Sequence, residues 1–112
     1  MDFDEAMDAC AGHPATELDY PFGEDTPVFK VVGKVFAILG ETGGRARITL
    51  KADPEDARAL VATFPEVTPG YHMNKKHWVS VDLPSVGAPL ADLIRDSYEL
   101  VVATLPRDQR PK

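Results

Sequence analysis

Three stretches of the chain repeat apolar residues every three to four positions, the spacing of a helix with one buried face. The first begins after Asp2, where the acid three residues later completes a capping-box pattern, and it stops at Gly12. The second begins at Asp53 and stops at Pro65, and the third begins near Pro89. These patterns predict three helices whose buried positions are Phe3, Ala6, Met7, Cys10, Ala57, Leu60, Val61, Phe64, Leu90, Leu93, Ile94, Ser97, Tyr98, Val101 and Leu105.

A hairpin is the clearest local prediction. Residues 28–32 and 35–39 are rich in β-branched and aromatic residues, and they flank Gly33 and Lys34 at the spacing of a two-residue turn. If these two residues form the turn, Val31 lies opposite Phe36. The apolar side chains expected on the core face are Phe29, Val31, Phe36 and Ile38.

Two further strands are predicted by strict alternation, over residues 45–51 and 77–83. Their inward positions are Ala46, Ile48, Leu50, Val79, Val81 and Leu83. Residues 13–27 contain turn formers without a clear period, so we expect an ordered loop there. The order α-β-β-β-α-β-α predicts an α+β two-layer sandwich, one domain over residues 1–112, with helices on one face of a largely antiparallel sheet.

Composition narrows the class of protein. A chain of 112 residues suits one domain, and no apolar run reaches the roughly 20 residues that a membrane helix needs. The acidic start is unlike a signal peptide, and the single cysteine, Cys10, cannot form an internal disulfide. We therefore expect a cytosolic protein.

Charge is unevenly distributed. The net charge of -6 argues against indiscriminate binding of polyanions. Residues 1–26 carry eight acids and no Lys or Arg, whereas residues 27–82 carry eight bases and six acids. The acidic front is typical of a solvated helix, and the middle of the chain is mildly basic.

Three separated motifs resemble those of the MmcQ/YjbR family of small bacterial proteins. They are Asp-Tyr-Pro-Phe-Gly at residues 19–23, the mixed aromatic and basic stretch at 69–78, and Ser-Tyr-Glu-Leu-Val-Val at 97–102. The resemblance extends from about Phe3 to Leu105. It implies a fold like that of the bacterial frataxin CyaY and a double-wing arrangement proposed to bind DNA. It brings no catalytic residues.

The first functional hypothesis is nucleic-acid binding, with DNA as the expected partner. The predicted register places Lys30, Arg45, Arg47 and Lys51 on one sheet face with Trp78, the pairing of cations and an aromatic surface that single-strand binders use. The candidate residues are Lys30, Arg45, Arg47, Lys75, Lys76 and Trp78. In a wing version, the turns at residues 33–34 and 43–45 would enter a groove instead. The competing interpretation is an ordinary solvated sheet face, with Trp78 covered by residues 20–22.

The alternative is a small-ligand or protein-partner module built on the stretch before the last strand. A few polar groups beside an aromatic wall are typical of a ligand site. Its candidate residues are Tyr71, His72, Asn74, Lys76 and Trp78. The competing interpretation is a loop anchored by its aromatic residues, with its charges in water.

Catalytic and metal sites are poorly supported. Ser97 and His77 could be imagined as nucleophile and base, but Ser97 lies in an apolar stripe without an elbow motif. His72 and His77 have no ligand partners at a recognised spacing. Iron binding through Asp4, Glu5 and Asp8 is implied only by the frataxin likeness. We expect a protein that is not an enzyme and has no cofactor or metal.

Overall fold

A computed structural model describes residues 1–70 and 73–111, except for the side chain of Thr42. The helices are α1 (Phe3–Ala11), α2 (Pro54–Thr63) and α3 (Leu90–Ala103), followed by a short 3-10 turn (Arg107–Gln109). The strands are β1 (Thr16–Asp19), β2 (Val28–Val31), β3 (Lys34–Thr42), β4 (Arg45–Lys51), β5 (Val67–Pro69) and β6 (Trp78–Leu83). They form one antiparallel sheet in the order β1-β2-β3-β4-β6-β5.

The three predicted helices are confirmed; α1 has the expected capping box, whereas the side chain of Asp53 before α2 makes no capping hydrogen bond. The Asp2 carboxylate accepts the Glu5 amide at 2.9 Å, and the Glu5 carboxylate accepts the Asp2 amide at 3.1 Å, which completes the capping box. Helix α1 ends at Gly12. Pro54 occupies the first turn of α2, and Pro89 precedes α3.

The hairpin forms, but its predicted turn and register are wrong. Val31 pairs with Lys34, so the turn residues are Val32 and Gly33, with φ of 48° and 76°. A hairpin turn of the I′ type needs positive φ at both central positions, and a β-branched residue rarely adopts it. Sequence rules therefore assign the turn to the pair that begins with Gly33, one residue too late.

A bulge further along the same hairpin changes which residues face the core. The register shifts between Phe29 and Lys30, because Phe29 pairs with Ala37 while Lys30 pairs with Val35. The extra residue, Phe36, is buried on the core side together with Ala37. Ile38 then pairs with Val28 and leaves the core face, contrary to the prediction.

Two short strands were not predicted. Strand β1 lies inside the segment expected to be a loop, and β5 precedes the chemically mixed stretch. Both are edge strands of three or four residues, and β1 is largely exposed, so neither carries a long alternating pattern. The sheet consequently has six strands instead of four, while the α+β class with helices on one face is as predicted.

The core lies between the sheet and the helices. Ile48 and Leu50 of β4, Val79 and Val81 of β6 and buried residues from all three helices form one cluster, with Leu83 partly buried against it and Ala46 outside it. Ser97 of α3 is fully buried in it; its hydroxyl donates to the Phe36 carbonyl at 2.6 Å and accepts the Lys51 amide at 2.9 Å. This serine fastens α3 to the two central strands. No helix among the described residues is long and apolar enough to cross a bilayer.

Candidate functional site

The face of the sheet opposite the helices carries the first candidate site. The β4–β6 register pairs Lys51 with Trp78, Thr49 with Ser80, and Arg47 with Asp82. The residues that alternate with them, Ile48, Leu50, Val79 and Val81, belong to the buried cluster with the helix stripes, so these six side chains point to the other face. The predicted alternation of these two strands is therefore correct, and we call this surface, with Arg45 at the start of β4, the β4–β6 face.

Trp78 and Lys51 are direct cross-strand neighbours. Residues opposite each other on one face of an antiparallel pair have Cβ atoms about 4.5–5.5 Å apart, so the ammonium and the indole share one patch. Trp78 is half-buried. Its backbone carbonyl accepts the Gly70 amide at 2.8 Å, and a Cβ added to Gly70 would lie 2.6 Å from the Trp78 Cβ. Glycine at position 70 thus permits the close approach that sets the tryptophan in place.

The segment 20–22 does not cover this tryptophan. It follows β1, which forms the edge of the sheet opposite to β5 and β6. Tyr20 instead lines a cavity with Phe3 and Met7 of α1, and Phe22 is 72% exposed. Residues 20–22 therefore leave the half-buried indole uncovered from their side of the sheet.

Both arginines of β4 lie near the carboxylate of Asp82. Asp82 lies 3.8 Å from Arg45 and 3.7 Å from Arg47. Between this group and the Lys51–Trp78 pair, the hydroxyls of Thr49 and Ser80 are 2.9 Å apart and almost inaccessible. The β4–β6 face thus carries three cations and one acid.

Lys30 lies on the same side of the sheet as Trp78 but is distant from it. It lies on β2, and β3 and β4 separate it from β6, so about 14 Å of sheet lies between it and Trp78. Its ammonium is 3.0 Å from the Asp19 carboxylate. The hydrogen bond from Lys30 holds the pKa of Asp19 below its ordinary value.

The lysines before β6 lie elsewhere. Lys75 and Lys76 line a cavity with Val79, whose side chain points to the helix side of the sheet, opposite to that of Trp78. The Asn74 side-chain oxygen accepts the Lys76 amide at 3.0 Å, so it is used within the turn. The second hypothesis grouped these residues around Trp78, and the structure divides them between two surfaces. Its other two members, Tyr71 and His72, lie outside the described residues.

The cavity beside α2 measures about 770 Å³. Its aliphatic wall comes from Pro54, Ala57, Val61 and Ala62 of α2, Pro69 of β5 and Val79 of β6. Arg58 joins Lys75 and Lys76 in its lining. Sequence reasoning missed Arg58, although its spacing of four residues from Ala62 placed both on one flank of the helix.

The imagined nucleophile has a structural role. The Ser97 hydroxyl is engaged with the Phe36 carbonyl and the Lys51 amide, and His77 is exposed. Burial raises the pKa of the Cys10 thiol to about 12, so it remains protonated at neutral pH. Among the described residues, no group of three His, Cys, Asp or Glu side chains could hold a metal ion.

Comparisons with known proteins agree with the fold. A YjbR family model matches residues 11–100. The chain is 46% identical over 101 residues to an Escherichia coli O157:H7 protein described as uncharacterized protein YbdF, covering 87% of this chain and 82% of that one. It is 30% identical over 112 residues to the uncharacterized protein YjbR of Escherichia coli K12, covering 98% and 95%.

Solved structures show the same architecture. A crystal structure of a Deinococcus radiodurans protein matches with a TM-score of 0.86 at 35% identity, covering 97% of this chain and 85% of that chain. A crystal structure of a Pseudomonas syringae protein matches with a TM-score of 0.74 at 30% identity, covering 89% and 98%.

Proposed function

The chain belongs to the YjbR family, and we propose that it is a non-catalytic bacterial protein that binds single-stranded nucleic acid, DNA in the first place, on the β4–β6 face. A cytosolic location fits the single, unpaired cysteine. The matched Escherichia coli relatives are described as uncharacterized, so the support comes from the geometry of this chain.

The observation that carries the proposal is the Lys51–Trp78 pair. The exposed part of the half-buried indole offers a π-surface on which a base can stack, and the neighbouring ammonium can contact the adjacent phosphate. Arg47 and Arg45 extend the cationic row along β4, away from the tryptophan. Successive nucleotides laid along this strand would meet a stacking platform first and phosphate-binding groups afterwards.

The net charge of the β4–β6 face favours nucleic-acid binding, whereas the net charge of the whole chain does not. The β4–β6 face carries Arg45, Arg47 and Lys51 against Asp82, a net charge of +2, whereas the chain carries -6. Asp82 is a competitor for the two arginines, because a phosphate must displace or share its contacts. Binding is therefore expected to be modest and strongly salt-dependent.

The wing version has weaker support. The Lys34 ammonium beside the first hairpin turn donates to the Thr104 hydroxyl at 3.3 Å, which directs it toward the end of α3. Arg45, which follows the second turn, lies 3.8 Å from Asp82 on the β4–β6 face. Both cations thus have partners within the chain instead of extending from the hairpin tips.

Fluorescence of Trp78 tests the proposal, because it is the only tryptophan in the chain. Titration with a short oligothymidylate is expected to quench the emission at about 50 mM salt and much less at about 200 mM. A duplex of matched length is expected to quench less, since its bases are not free to stack. Absence of quenching by the single strand at low salt would refute the proposal.

A further inference from the structure

The cavity beside α2, between that helix and β5 and β6, combines an aliphatic wall with a cluster of cations. Ala57 and Val79 at its floor are buried, and Val61 is half-buried. Its volume of about 770 Å³ lies within the roughly 300–1,000 Å³ typical of small-molecule sites. The aliphatic side chains among its described lining residues suit a flexible hydrocarbon body.

The cations at this cavity differ from the four described cations that are paired with acids, Lys30, Arg45, Arg47 and Arg95. Within residues 1–70 and 73–111, Arg58, Lys75 and Lys76 make no side-chain ion pair, and no carboxylate is part of the lining. By contrast, Lys30 and Arg95 are paired with acids. Three cations without a counter-charge on a chain of net charge -6 are a local excess that an anion can satisfy.

The backbone that carries the two lysines is fixed. Asn74 accepts the Lys76 amide on its side-chain oxygen at 3.0 Å and the His77 amide on its carbonyl at 3.1 Å. Arg58 is held by helix α2 on the other side. The cations are therefore presented from two separate elements, the helix and the turn before β6.

We propose that the cavity beside α2 binds an aliphatic carboxylate: the hydrocarbon body lies against Val61, Ala57 and Val79, and the carboxylate contacts Arg58, Lys75 and Lys76. This site does not depend on the nucleic-acid proposal, because Val79 and Trp78 point to opposite faces of the sheet. Its ligand has one charged end and one apolar end, in contrast to a repeating polyanion.

Octanoate is a suitable probe, with octanol to remove the charge and acetate to remove the chain. Calorimetric titration is expected to show octanoate binding at least about tenfold more tightly than octanol, since hydrogen bonds to charged groups are strong. Acetate is expected to show no saturation. Equal affinity for octanol and octanoate, or no saturation by octanoate below about 1 mM, overturns the proposal.

Two protein variants separate the site from a general charge effect. The triple variant R58Q/K75Q/K76Q is expected to bind octanoate at least about tenfold more weakly. The matched control K34Q/R95Q/R107Q removes the same number of cations elsewhere and is expected to leave the affinity unchanged. If the two variants lose affinity equally, the local cluster is not the site.

A further measurement uses the unaltered protein, so its result does not depend on whether the variants fold. Nuclear Overhauser contacts from the octanoate chain to the methyl groups of Val61 and Val79 are expected. Saturating octanoate is expected to leave oligothymidylate affinity unchanged, because the two sites lie on opposite sides of the sheet. Contacts only elsewhere, or displacement of octanoate by the oligonucleotide, contradict the assignment.

Discussion

The two faces of this sheet use the same strands for different purposes. In β4, Ile48 and Leu50 are inaccessible beneath the helices, whereas Arg47 and Lys51 remain partly exposed on the other side. Because side chains alternate along a strand, burying one set fixes the position of the other. The apolar face thus supplies the stability and the register, and the polar β4–β6 face obtains its Lys51–Trp78 pairing from that register.

The largest expected effect is on stability and belongs to the covered face. Phe36→Ala removes a fully buried ring that packs edge-on against Tyr98, with ring centroids 5.3 Å apart. We expect a loss of about 3–5 kcal/mol in the free energy of unfolding, measured by chemical denaturation. The control Phe22→Ala removes a ring that is 72% exposed and is expected to change stability by less than about 0.5 kcal/mol. Similar losses in both variants would contradict this division.

The next effect is on binding and belongs to the β4–β6 face. Trp78→Ala is expected to cost about 1–3 kcal/mol of single-strand affinity, because it removes the stacking surface. Anisotropy of a labelled oligothymidylate measures this without the tryptophan. Tyr20→Ala changes an aromatic residue at the opposite edge of the sheet and is expected to leave the affinity unchanged. Equal losses in both variants would exclude a specific platform at Trp78.

The sequence predicts the two faces of the sheet correctly where a strand leaves a regular pattern of apolar and polar residues. The alternation in β4 and β6 correctly placed Arg47, Lys51 and Trp78 on the side away from the helices, because long strands with one buried face leave a strict pattern. The hairpin register failed, because Val32 takes a positive φ that propensity rules give to glycine, and a bulge at Phe36 leaves no mark in the sequence.

The candidate sites were harder to predict than the fold. Trp78 and Lys76 are only two positions apart, yet they belong to different surfaces, since the chain enters β6 between them. Arg58 and Lys75 line one cavity from different elements, an arrangement that no local pattern encodes. Pairing of Asp82 with two arginines likewise depends on the register between strands that are distant in the sequence.

A gain of affinity is expected when the competing carboxylate is neutralised. Asp82→Asn keeps the size of the side chain and removes the negative charge that lies near Arg45 and Arg47, so single-strand affinity is expected to rise by up to about 1 kcal/mol. Asp92→Asn makes the same charge change beside Arg95 on α3 and serves as the control. Equal gains from both would indicate net charge alone; the account expects a larger gain and a steeper salt dependence for Asp82→Asn.

The smallest expected effect is on stability and depends on pH. Glu66 accepts the Ser85 hydroxyl at 2.8 Å and the Gly87 amide at 3.1 Å, which tie the loop before α3 to the sheet edge. These hydrogen bonds hold the pKa of Glu66 below its ordinary value. The carboxylate therefore stabilises the fold above the ordinary pKa of a glutamate, and this contribution disappears as the pH falls through the lowered value.

Glu66→Gln is accordingly expected to be slightly less stable than the unaltered chain at neutral pH and equally stable in acid. Denaturation midpoints across the acid range measure the difference. Glu17→Gln, on the exposed edge strand β1, is the matched control, for which no such convergence is expected. A difference at Glu66 that stays constant with pH would contradict the role of its charge.

Amide chemical shifts during titration with oligothymidylate test the central claim most directly. The account predicts that the largest changes occur in β4 and β6, centred on Lys51 and Trp78, with little change in α2. Changes concentrated at the two hairpin turns, Val32–Gly33 and Gly43–Gly44, with Lys51 and Trp78 unaffected, would contradict it.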